Sequence, residues 1–182
     1  MSAISIACVG AGYWGKNLVR AFNDLPLVQL RKVCDASPEI LARIGQQYPE
    51  IETTSDYVGL LDDVDIAAVV LAVPAMQHYA MARAALEKGK HVYVEKPLTL
   101  KTDEARDLCA LANERGLVLM VGHLLLYHPA VQILKNLVQS GQLGDIYYIY
   151  AQRVNLGIVR RDENALWSLA PHDISVILYL LE

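Results

Sequence analysis

Apolar positions along the chain fall into two kinds of run, and the two kinds alternate. Short runs at 4–9, 27–34, 66–73, 91–95 and 117–121 are rich in Val, Ile and Leu and read as strands, with Thr53 and Thr54 marking another. The run at 66–73, Ile-Ala-Ala-Val-Val-Leu-Ala-Val, is apolar without alternation. A strand of that kind is buried on both faces, as in a parallel sheet covered by helices. The intervening segments predict helices at 14–22, 38–48, 56–61, 76–88 and 102–115. Ser37-Pro38 supplies an N-cap and a first-turn proline, Asp103 and Glu104 enrich a first turn, and Gly89 and Gly116 stop two helices. Six strands alternating with helices predict an α/β fold, a Rossmann doubly wound parallel sheet with right-handed crossovers and strand order 3-2-1-4-5-6, over residues 1–122.

Beyond residue 122 the pattern changes. His128-Pro129 predicts a helix to about residue 140, the tyrosine-rich stretch 146–154 a strand, 155–164 a polar loop, and Pro171 the start of a last, almost wholly apolar helix. Nothing later in the sequence covers that helix or pairs with that strand. Residues 123–182 therefore read as the start of an incomplete α+β substrate and oligomerisation domain, whose remaining strands are missing. A homo-oligomer is expected where that domain is complete.

The first strand leads into Gly10-Ala11-Gly12-Tyr13-Trp14-Gly15, which has the G-x-G-x-x-G spacing between a strand and a helix. Gly10 permits the tight turn, Gly12 lets backbone approach a pyrophosphate, and Gly15 lets the helix pack closely on the sheet. Asp35 closes the second strand run, where a carboxylate accepts hydrogen bonds from the adenosine ribose hydroxyls and repels a 2′-phosphate. NAD is thus the expected cofactor in preference to NADP, and no arginine directly follows Asp35.

Bulk composition narrows the partners. The 182 residues carry a formal net charge of -4 and are 54% hydrophobic. They lack the basic stripe that nucleic-acid binding requires, so no nucleic-acid partner is expected. No run of 18 apolar residues predicts a membrane span, and the N-terminal apolar run has no basic flank and ends in the glycine motif, unlike a signal peptide. Cys8, Cys34 and Cys109 form neither a zinc pattern nor a disulfide framework and read as buried thiols in a reducing cytoplasm. His91, His123 and His128 lack carboxylate or cysteine partners at metal spacing, so no metal site is expected.

In a doubly wound sheet, ligands bind at the carboxyl ends of the strands beside the switch in strand order. Four segments converge there: the glycine turn, Ala72-Val73-Pro74 with His78, Glu95-Lys96-Pro97, and Gly122-His123. Folding alone poorly explains a charged pair at the end of a buried strand, although a structural ion pair is the competing reading. The proline after it either turns the chain sharply or takes the cis form. An ammonium at Lys96 suits stabilisation of an alkoxide as hydride leaves, or acceptance of the proton itself.

These motifs, together with Gly89-Lys90-His91-Val92-Tyr93-Val94 before Glu95 and Pro171-His172-Asp173, resemble the glucose-fructose oxidoreductase, inositol dehydrogenase and MocA (Gfo/Idh/MocA) family. Val121-Gly122-His123, Tyr127-His128-Pro129 and the stretch 164–173 look most like the branch that oxidises the 3-hydroxyl of UDP-N-acetylglucosaminuronic acid for surface polysaccharides. The resemblance implies an NAD-dependent sugar dehydrogenase with Lys96 and His172 as the acid/base pair. It implies Glu95 on the nicotinamide ribose, and Tyr13, Trp14, Ala72, Pro74 and His78 lining the cofactor. Arg160, Arg161 and Asn164, in the polar loop, are candidates for a uronate carboxylate or phosphates. Two features depart from the family. Ser168 stands where many members carry an aspartate one helical turn before the late histidine, and members run to well over 300 residues. A cofactor-binding fragment without catalysis, or a redox-neutral reaction with recycled NAD, are the other expectations that fit.

Overall fold

The structure, a computed structural model, describes residues 3–153 and 164–182. The chain divides into two compact units, Met1–Gly122 and His123–Glu182.

In the first unit, strands β1 (Ile4–Val9), β2 (Val28–Cys34), β3 (Glu52–Thr54), β4 (Ala68–Leu71), β5 (His91–Val94) and β6 (Leu119–Val121) alternate with five helices. These are α1 (Gly15–Asn23), α2 (Pro38–Gln47), α3 (Tyr57–Asp62), α4 (Ala75–Glu87) and α5 (Thr102–Glu114). The sheet order is β3-β2-β1-β4-β5-β6 and every pairing is parallel, the expected doubly wound topology. Register sets the core. Ala7 and Val9 of β1 join Val69 and Leu71 of β4 in a core that also holds Ala82, Leu86 and Leu108 of α4 and α5. Ile6, Cys8 and Val70 turn to the other face, where Val19 of α1 and Ile44 of α2 lie. One strand feeding two cores explains why 66–73 is apolar throughout.

Local signals fix the helix starts. The Ser37 hydroxyl accepts the Ile40 N–H at 3.3 Å, with Pro38 in the first turn, and the Asp56 carboxylate accepts the Gly59 N–H at 2.9 Å. Ser37→Ala is expected to lower stability by about 1 kcal/mol. Urea denaturation should read this as a lower midpoint with an unchanged slope.

The thiols part company. Burial pushes the Cys8 thiol up to about 12 and, with help from the Asp35 and Asp56 carboxylates, Cys34 up to about 11. Cys109, expected to be buried, is exposed: it lies on α5 away from Leu108 and Ala112, which face the core.

The second unit holds a 3-10 turn (Leu124–Tyr127), α6 (Pro129–Gln139) and α7 (Ala165–Leu181). Lys135 of α6 is buried, donates to the Tyr179 carbonyl near the end of α7 at 2.5 Å, and sits 5.0 Å above the Tyr179 ring. A cation at a helix carboxyl end is favourable, which accounts for a buried lysine here.

Two expectations fail in this unit. The last helix begins at Ala165, capped by the Asn164 side chain accepting the Trp167 N–H at 3.1 Å, and Pro171 lies inside it. Proline signals a helix start only where no earlier cap outweighs it. Residues 146–153 form no strand: Tyr147 and Tyr148 are 89% and 84% exposed. A strand needs a partner for its backbone groups, and the described residues of this unit offer none.

Candidate active site

The carboxyl ends of β1, β4, β5 and β6 carry turns that contact one another. Gly10 has φ +84°, a left-handed conformation that favours glycine, and a Cβ added there would stand 2.6 Å from the Ala72 carbonyl oxygen. A Cβ on Gly15 would stand 1.9 Å from the Gly10 carbonyl oxygen, so α1 starts in direct contact with the turn. At Gly12 the same atom would meet nothing within 4 Å. The turn is thus packed on its inner side and open above Gly12, a fit for a pyrophosphate against backbone and the start of α1. Tyr13 is exposed, and its ring faces the Lys16 ammonium at 5.9 Å.

Asp35 lies at the end of β2. One carboxylate oxygen accepts the Ala11 N–H at 2.7 Å and the other the Ser37 N–H at 2.9 Å. The carboxylate is therefore fixed beside the glycine turn, at the position expected for the adenosine ribose.

Glu95 is the hub of the opposite side of the site and is 8% exposed. Its Oε1 accepts the Trp14 indole N–H at 2.8 Å and the Tyr93 hydroxyl at 3.2 Å, and its Oε2 accepts the Lys96 backbone N–H at 3.3 Å. Gly122, ending β6, has no room for a side chain: a Cβ would stand 2.5 Å from the Tyr93 hydroxyl and 3.0 Å from Glu95 Oε1. Trp14, 41% exposed, thus ties the glycine turn of β1 to the Glu-Lys-Pro turn of β5. The three donors named here that hold the Glu95 carboxylate are all neutral.

The Lys96-Pro97 peptide is cis, and Lys96 is half-buried at the end of this turn. His78 of α4 is 1% exposed, with Nδ1 2.6 Å from the Pro97 carbonyl oxygen and Nε2 2.9 Å from that of Val73. Both ring nitrogens face backbone, so His78 joins the Ala72-Val73-Pro74 turn to the Glu-Lys-Pro turn from below. It holds the lining in place more than it offers polar atoms to a ligand.

The remaining candidates lie in the second unit. His172 is half-buried within α7, where its carbonyl accepts the Ser175 hydroxyl at 2.9 Å. Its neighbour Asp173 pairs with Arg153 at 2.8 Å. Ser168 lies one turn before His172 on the same helix. Asn164 uses its side-chain oxygen as the α7 cap, while Arg160 and Arg161 fall outside the described residues. Among the described residues no group of three or more His, Cys, Asp or Glu could hold a metal ion. No helix among them is long and apolar enough to cross a membrane.

The sequence reading missed Tyr93 and Arg43. Tyr93 lies on β5, two positions before Glu95, which directly follows that strand, and the spacing of two is the available signal for it. Arg43 lies on α2 with its guanidinium 3.5 Å from the Ala11 carbonyl oxygen, and only the fold brings it there.

Known oxidoreductases are among the proteins that this chain resembles. The sequence model described as "Oxidoreductase family, NAD-binding Rossmann fold" matches residues 4–123. UDP-N-acetylglucosamine 3-dehydrogenase of Acidithiobacillus ferrooxidans is 33% identical over 94% of this chain and 52% of its own length. Levoglucosan dehydrogenase of Pseudarthrobacter phenanthrenivorans is 30% identical over 80% of this chain and 40% of its own. Among solved structures, GenD2 from gentamicin A biosynthesis in complex with NAD superposes with a TM-score of 0.86 at 26% identity, covering 100% of this chain and 54% of GenD2. The chain spans about half the length of the curated relatives it matches.

Proposed function

The chain belongs to the Gfo/Idh/MocA oxidoreductase family, and from that premise we propose that it carries the cofactor site of an NAD-dependent sugar dehydrogenase. The observation that carries this reading is the Trp14–Glu95 hydrogen bond, which joins the phosphate-binding turn to the turn bearing Lys96. In this reading Gly10, Gly12 and Gly15 cradle the pyrophosphate, Asp35 takes the adenosine ribose, and Ala72, Pro74, Tyr13 and Trp14 wall the cleft. Glu95, already fixed by three donors, takes the nicotinamide ribose through its less engaged oxygen.

Bound NAD supplies the hydride acceptor. Lys96 holds the reacting hydroxyl and accepts its proton or stabilises the alkoxide, with His172 as the second acid/base group. The proposed substrate is a UDP-N-acetylglucosaminuronate-like nucleotide sugar oxidised at C3, in surface-polysaccharide synthesis, with Arg160 and Asn164 as the candidates to bind its anionic groups. A named relative that acts as a UDP-N-acetylglucosamine 3-dehydrogenase supports this choice.

Formation of NADH on mixing the chain, NAD and UDP-N-acetylglucosaminuronate tests the activity. The exposed tyrosines at 147, 148 and 150 favour one other reading, a cofactor-binding module that does no chemistry by itself. That reading gives NADH binding without NADH formation. The Asp35 assignment makes its own prediction: NADH binds about tenfold or more tightly than NADPH, since a 2′-phosphate meets a carboxylate. Tighter binding of NADPH contradicts it.

A further inference from the structure

We infer that Arg43 is a second determinant of cofactor choice, a cation that gives the site a measurable affinity for the 2′-phosphate of NADP despite Asp35. The inference rests on the proposed dinucleotide site. Arg31, Arg83, Arg106 and Arg153 each pair with a carboxylate. Arg43 has no such partner: among the described residues its hydrogen bond is to the Ala11 carbonyl oxygen, at 3.5 Å, the limit of a hydrogen bond. A guanidinium with five donors is thus left largely uncommitted on an exposed stretch of α2.

Its location gives this meaning. Ala11 is the residue whose N–H holds Asp35 Oδ2, so Arg43 and Asp35 flank one residue of the glycine turn. Asp35 spends both oxygens on backbone N–H donors, which fix the carboxylate in place beside the turn. Glu39, the other acid at the start of α2, accepts the Ser37 hydroxyl at 2.6 Å and is not among the ion pairs of the described residues. The residue directly after Asp35 is Ala36, so a basic group for a 2′-phosphate is missing at the place where sequence inspection looks for it. The fold supplies one from further along α2. Guanidinium matches phosphate geometry with paired, charge-assisted bonds, whereas the ribose of NAD offers it only neutral hydroxyls.

The test is a pair of fluorescence titrations, NADH and NADPH, on the 182-residue chain and on Arg43→Ala. NADPH should bind the parent more weakly than NADH yet saturably. Arg43→Ala should weaken NADPH about tenfold while leaving NADH within about twofold. Arg43→Lys should keep part of the NADPH affinity, since it retains the charge without the fork. Arg43 is exposed, so unchanged thermal melting should accompany the substitutions. Equal losses for both nucleotides, or no loss for either, overturn the assignment and leave the dinucleotide site standing. A parent that binds NADH but not NADPH overturns it as well. A folded parent that binds neither overturns the dinucleotide reading and this inference together.

Discussion

Gly15→Ala is expected to abolish measurable NADH binding and to lower stability by about 3 kcal/mol. The added methyl would stand 1.9 Å from the Gly10 carbonyl oxygen and 2.8 Å from its carbonyl carbon, both backbone atoms with no rotamer to change. Relief requires α1 to move off the turn. That movement draws Trp14 from Glu95 and lifts the helix start from the phosphate position, because Trp14 directly precedes α1. Gly12→Ala is the control, since its Cβ meets no atom of the protein within 4 Å. It should fold like the parent and lose affinity only through contact with the nucleotide. Thermal melting and NADH titration of the two variants separate the effects. A Gly15→Ala variant that melts and binds like the parent would show that the turn does not depend on this contact.

Lys96→Met should leave NADH affinity within about twofold and slow hydride transfer from a sugar substrate by about a thousandfold, within the range lost with a general acid or base. Methionine keeps much of the length and apolar stem of lysine and removes the ammonium. The main-chain N–H of residue 96, which donates to Glu95, survives the substitution. Cofactor affinity and turnover therefore separate if Lys96 acts on the substrate, and fall together if its role is to hold the turn. Turnover within a few-fold of the parent rejects the assignment.

The strength of local signals decided what could be read from sequence. Gly10 and Gly15 were legible because each answers to a constraint within one β-α-β unit, and the structure shows those constraints as a positive φ and a backbone contact. The unbroken apolar run at 66–73 was legible because Val69 and Leu71 fill one core and Val70 the other. The trio Trp14, Tyr93 and Glu95 was not, since the indole and its carboxylate lie on turns 81 residues apart and either alone suits several roles. The resemblance implies that His78 lines the cofactor, and the bond of its ring to the Pro97 carbonyl, 19 residues on, was not legible from sequence. In the second unit propensity misled. The tyrosines at 147, 148 and 150 favour a strand, and pairing decides whether one forms. Pro171 is a strong punctuation mark, but Asn164 caps the helix earlier.

The central claim is that the joined turns of β1, β4 and β5 form a dinucleotide site. Titration of the 182-residue chain with NADH, read through the quenching of tryptophan fluorescence, tests it most directly, because Trp14 sits between the glycine turn and Glu95. The account predicts saturable quenching that NAD reverses by competition and that Trp14→Phe largely removes, while the melting temperature stays near that of the parent. A folded chain whose fluorescence NADH leaves unchanged, and whose melting temperature NADH does not raise, would contradict the account.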